Sequence, residues 1–193
     1  MREKLVCPNC GLEVEREVLA CVYANNGCEH EEESEVTFIP DEKEERLLIE
    51  DLKAGILEEI EVCRKILKDL ESNPKKANER IPFEPGIYEP TRYDYYSRIL
   101  YELQSAYWML EEESWFFLEV CAEFMRDEST IHVVVGNSVS EFGKEFGESF
   151  ECSIRKQDIG EEKFEIFSWL KTVIEKRGGG VDGKRKEAKT IAY

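Results

Sequence analysis

Between residues 49 and 70 the apolar side chains fall at Ile49, Leu52, Ile56, Ile60, Cys63, Leu67 and Leu70, every step three or four residues long. Only an α-helix puts residues at that spacing on one face. Asp41 and Glu44 have the spacing of a capping box at its start, and Asn73-Pro74 closes it. Gly55 weakens it slightly. At 1.5 Å per residue the predicted helix is about 45 Å long. A helix of that length with one apolar stripe needs a matching surface to bury it.

A second seam offers that surface. It runs through Tyr96, Leu100, Leu103, Tyr107, Leu110, Ser114, Phe117, Cys121 and Phe124, starting near Thr91 with Asp94 as capping partner. It predicts a helix about 50 Å long, with Trp108, Trp115, Phe116, Leu118 and Met125 widening the apolar face. The expected packing is an antiparallel pair with a third layer over the aromatic flank. The connector 72–90 carries Pro74, Pro82, Pro85 and Pro90. With Ile81, Phe83, Ile87 and Tyr88 it reads as a strap across the helices. Further on, Ile131 to Val135 and the alternation Phe150, Cys152, Ile154 read as strands. Ser138 and Glu141 suggest a short helix over Val139 to Phe146. Glu161 to Lys176 reads as a helix with Phe164, Phe167, Leu170 and Ile174 on one face, followed by a flexible tail.

Residues 1–40 hold four of the seven cysteines. Cys7-Pro8-Asn9-Cys10-Gly11 is followed by an alternation from Leu12 to Val18 that reads as a half-exposed strand. Cys21 and Cys28 come next, and Val36 to Ile39 reads as another short strand. A Cys-x-x-Cys turn aims two sulfurs at one point, and Gly11 lets the backbone turn back. Zinc takes four such ligands in a tetrahedron. The predicted set is Cys7, Cys10, Cys21 and Cys28 around one structural Zn2+, with His30 as the alternative to Cys28. A closed set leaves no open position for catalysis. In a module this small the metal supplies much of the folding free energy.

Cys7-Pro8-Asn9-Cys10-Gly11 resembles the knuckle of zinc-ribbon proteins. Cys21-Val22-Tyr23-Ala24-Asn25-Asn26-Gly27-Cys28 is similar to the opening half of fingers of the TRAF and seven-in-absentia type. The downstream His and Cys of those fingers have no counterpart here. The resemblance implies metal binding at the four cysteines and does not extend to ubiquitin-ligase activity.

The formal net charge of −17 opposes contact with nucleic acid or anionic membrane, since both are themselves anionic. Only Lys184-Arg185-Lys186 concentrates positive charge. No apolar run approaches the ~20 residues of a membrane span, and no signal-peptide core precedes Cys7. The expected location is cytoplasmic, where cysteines serve as metal ligands or thiols more than as disulfides. Cys63 and Cys121, on the two seams, read as small buried hydrophobes. The sequence holds no Walker loop, dinucleotide fingerprint, nucleophile elbow or zinc-protease helix.

The expected fold is mainly α with a small β component: an N-terminal zinc ribbon (1–40), a long antiparallel helical hairpin with a small C-terminal α/β element (41–177), and a tail (178–193). The leading functional expectation is a zinc-stabilised protein-interaction or regulatory factor without catalytic activity. It would bind a protein partner, or a second copy of itself, through the aromatic helix surface that includes Tyr93, Tyr95, Tyr96, Tyr101, Tyr107, Trp108, Trp115, Phe116 and Phe117. One alternative is a nucleic-acid-associated zinc-ribbon regulator. The other is an enzyme using His132 and Cys152.

Overall fold

The computed structural model describes residues 4–6, 11, 13–24, 34–82, 89–124, 129–141 and 144–155. In chain order the elements are β1 (Lys4–Val6), β2 (Glu13–Glu15), β3 (Glu17–Ala24), β4 (Ser34–Phe38), α1 (Glu42–Glu71), α2 (Pro74–Ala77), α3 (Arg92–Glu111), β5 (Phe117–Phe124), β6 (Ser129–Gly136), β7 (Val139–Glu141), β8 (Lys144–Phe146) and β9 (Ser149–Arg155).

Helix α1 follows its sequence closely. The Asp41 carboxylate accepts the backbone N–H groups of Lys43 and Glu44, each at 2.9 Å, and the Glu44 carboxylate accepts the Asp41 N–H at 3.0 Å. That reciprocal box satisfies amides the first turn leaves without helical partners. Leu52, Ile56, Ile60, Cys63, Leu67 and Leu70 are all buried, and Leu48 points inward where Ile49 is half-buried.

Helix α3, capped by Thr91, packs antiparallel to α1. At one end the Tyr93 hydroxyl donates to the Glu71 carboxylate at 3.4 Å. At the other the Lys53 ammonium lies 2.6 Å from the Glu111 carboxylate. The connector includes the short helix α2. It returns to the start of α3 through a backbone bridge, the Arg92 N–H donating to the Glu79 carbonyl at 2.8 Å and the Ile81 N–H to the Pro90 carbonyl at 3.1 Å.

The second helix stops at Glu111, well short of the expected end. Glu111, Glu112 and Glu113 gather negative charge at a helix C-terminus, where the dipole disfavours it. Glu113 then turns the chain with φ 51°. Phe117–Phe124 is a strand instead, burying Leu118, Val120 and Ala122 on alternate positions.

That strand lies at the centre of a mixed five-stranded sheet of order β4-β3-β5-β6-β9. β3 and β5 are parallel neighbours, and every other pairing is antiparallel. The parallel pair needs a crossover, which α1 and α3 supply. Both helices pack on one face of the sheet, where Val18, Ala20, Leu118, Val120, Ala122, Ile131, Val133, Val135 and Ile154 meet the α1 seam and Leu103, Ala106 and Leu110 of α3.

The fold is therefore a two-layer α/β arrangement, not a mainly α one; nine of the twelve described elements are strands. The boundary expected at residue 40 also cuts through the sheet. β3 and β4 precede it, yet β3 shares a full eight-residue register with β5. The C-terminal strands β6 and β9 belong to the same sheet rather than to a separate element. Val139 to Phe146, expected to be helical, holds the antiparallel strands β7 and β8. The helix expected over Glu161 to Lys176 and the tail lie outside the described residues.

Candidate functional site

Two surfaces carry chemistry the core does not use. The first is the solvent side of the helical pair. At about every second turn α3 exposes Tyr93, Tyr101 and Trp108, spaced eight and seven residues apart and so on one face of the helix. Trp108 is 65% exposed and Tyr101 58%, and Leu57 of α1 is 44% exposed nearby. They flank a groove between the two helices. One section, about 540 Å³, is lined by Arg64, Leu67, Lys68, Glu71, Tyr93 and Tyr101 among others. The next, about 340 Å³, is lined by Leu57, Ile60, Arg64, Gln104, Tyr107 and Trp108. Tyr101 also stands edge-to-face on Phe150 of β9, ring centres 6.0 Å apart, so the stripe is anchored to the sheet.

The expected aromatic stripe divides. Trp115 and Phe116 are core, 1% and 7% exposed. The Arg16 guanidinium lies 4.8 Å from the Trp115 ring centre, a cation–π contact, and also donates to the Glu113 carbonyl. Tyr95, Tyr96, Tyr107 and Phe117 are half-buried.

The second surface is the sheet face opposite the helices. The pairings place Thr37, Cys21, Cys121, His132 and Ser153 in one row across all five strands. Cys21 and Cys121 are direct partners on the parallel strands, both half-buried. The Thr37 hydroxyl donates to the Cys21 sulfur at 3.7 Å. His132 Nδ1 lies 3.0 Å from the Ser153 hydroxyl, and its Nε2 3.7 Å from the Glu123 carboxylate.

This arrangement corrects two expectations. Cys121 is not a buried seam residue, because the seam has become a strand and its thiol belongs to the outer face. His132 and Cys152 sit on neighbouring strands but on opposite faces. His132 pairs with Ser153, while Cys152 is opposite Val133 and faces the core, 6% exposed. Burial pushes the Cys152 thiol up to about 12, with the Glu102, Glu59 and Glu151 carboxylates adding to the shift. A thiol held neutral and turned from the imidazole has no route to the expected catalytic pair.

Of the predicted zinc ligands, Cys21 lies mid-strand in β3. Cys7, Cys10, Cys28 and the alternative His30 lie outside the described residues. β1 and β2 pair antiparallel, with Val6 opposite Glu13, and Gly11 has φ +73°. That is a backbone conformation glycine adopts at no steric cost. Among the described residues no three His, Cys, Asp or Glu side chains converge to hold a metal ion. No described helix is long and apolar enough to cross a membrane.

The sequence pointed to Cys21 only as a zinc ligand, and the row it joins follows from register, which local pattern does not encode. No protein-family model, curated protein or solved structure matches the chain.

Proposed function

We propose that the protein is a zinc-stabilised interaction factor that binds a protein partner, or a second copy of itself, through the groove between α1 and α3. The observation that carries this reading is the exposure of Tyr93, Tyr101 and Trp108 along one face of α3. A lone exposed apolar residue is ordinary. A Trp and two Tyr in line beside a groove have the composition of interface anchors, where Trp, Tyr and Arg dominate binding energy. Arg64 in the middle of the groove fits the same pattern. The zinc would be held by Cys7, Cys10, Cys21 and Cys28 and would fasten the N-terminal hairpin. The antiparallel pairing of β1 with β2, which flank Cys7 and Cys10 in sequence, and the positive φ of Gly11 support that part.

A photo-crosslinking residue at position 101 tests the surface. The expected result is a discrete crosslinked species, dimer or heteromer, that disappears with Trp108→Ala; a hot-spot truncation costs at least about 2 kcal/mol, roughly thirty-fold in Kd. A chain that gives no crosslinked species overturns the reading. Metal analysis of protein purified without chelator should find one zinc per chain. Ser in place of any of the four cysteines should remove it.

A further inference from the structure

Cys21 and Cys121 come from strands far apart in sequence and meet as direct partners in a parallel ladder. Each alternates with core residues of its own strand, Ala20 with Cys21, and Val120 and Ala122 with Cys121, so both thiols stand on the face away from the helices. Adjacent strands lie about 4.8 Å apart, inside the Cα separation of about 4.4–6.8 Å that a disulfide spans. Both cysteines are half-buried rather than buried, so a small reagent can reach them. The other two described cysteines, Cys63 and Cys152, are buried on the opposite side of the sheet.

We propose that Cys21 and Cys121 form a thiol–disulfide exchange site that takes low-molecular-weight disulfides and closes to a bridge between β3 and β5. One thiolate attacks a sulfur of the small disulfide, whose S–S bond breaks and releases one thiolate. The protein then carries a mixed disulfide. The second protein thiolate attacks the protein sulfur of that mixed disulfide and expels the remaining half of the reagent. The two protons lost by Cys21 and Cys121 end on the two released thiols. The protein is oxidised by two electrons and the reagent reduced by two. Register holds the second thiol beside the first, so closure outruns capture of another reagent molecule. The bridge is readily reversed, because Cβ atoms at strand spacing lie farther apart than the ~3.8 Å a relaxed disulfide prefers, and a strained bridge is the more reducible.

The site goes beyond the zinc reading but shares Cys21 with it: a zinc-bound Cys21 would be shielded, and bridging would release the metal. The full chain is treated with oxidised glutathione, once as purified and once after chelation, and its thiols are mapped by mass spectrometry under non-reducing conditions. Chelated protein is expected to yield the Cys21 peptide linked to the Cys121 peptide, in roughly tenfold excess over doubly capped protein at sub-millimolar reagent. Cys121→Ser should stop at a mixed disulfide on Cys21, and Cys63→Ser should leave the bridge unchanged. Should Cys121→Ser fail to fold, the wild-type map decides alone. Separate adducts with no linkage, a linkage from Cys21 to any other cysteine, or no reaction at either thiol overturns the proposal. Absence of zinc at the start removes the zinc reading and leaves this one standing.

Discussion

Glu59 lies on the helix face that packs against the sheet, only 6% exposed, and its carboxylate accepts the backbone N–H of Arg155 at 2.7 Å. It therefore ties α1 to the last described residue of the edge strand β9. Glu59→Ala removes this charged acceptor from the Arg155 amide, and urea denaturation should show a loss of about 1–3 kcal/mol. Glu59→Gln keeps an acceptor oxygen and should lose less. Cys152 makes a pH prediction at the same scale. Its folded-state pKa is raised to about 12 from 9.0, so between those values the unfolded chain releases a proton that the folded chain keeps. Stability is then complete below about pH 9 and falls as pH rises toward 12. Cys152→Ala should flatten that alkaline decline in denaturation midpoints measured across the range. None of this was legible in the sequence. Glu59 sat among the charges of α1 with nothing to mark it as inward, and Cys152 was apolar by pattern but not distinguishable from a nucleophile until its strand had a face.

The elements differ in how much of their fate is local. Helix α1 was read correctly because its cap, its seven-position seam and its stop all lie within its own sequence. Asp41→Ala should cost it about 1 kcal/mol in thermal or urea unfolding, and Asp41→Asn much less, since Asn caps nearly as well. The chain after Glu111 was misread because two periods overlap there. Phe117, Cys121 and Phe124 continue a helical seam, while Leu118, Val120 and Ala122 satisfy a strand. Apart from Val120 the stretch has no β-branched residue to tip the balance. The choice is made by pairing: β3 on one side and β6 on the other supply ladders for Phe117–Phe124, and β3 lies about a hundred residues away in sequence, beyond the reach of any local pattern. Val139 to Phe146 failed for a related reason. A capping-box spacing at Ser138 and Glu141 is weak evidence when Gly143 interrupts the stretch and Gly147 follows it, and an antiparallel strand pair satisfied its backbone instead.

At the scale of the molecule, the candidate zinc cysteines, the helical pair and the C-terminal strands do not divide into the units their sequence suggests. A chain beginning at residue 41 would lack β3 and β4, exposing the edge of β5 and losing Val18 and Ala20 from the core. Such a fragment should lose the cooperative unfolding transition of the full chain, whereas a self-contained helical domain would keep it; near-ultraviolet circular dichroism across a urea series distinguishes the two. The groove lined by Trp108 was legible as an aromatic excess but not as a surface, because a helix apolar on several sides can be buried or exposed until its neighbours are known. The parallel pairing of β3 with β5 also has a meaning for how the chain is made. The ribosome releases β3 first and must then synthesise all of residues 25–116 before any of β5 exists. At about 5–20 residues per second that is a wait of roughly 5–20 s. Through it β3 has at most β4 beside it, its apolar face uncovered and Cys21 without Cys121, so the newborn chain meets chaperones and oxidants in a state the finished protein never shows.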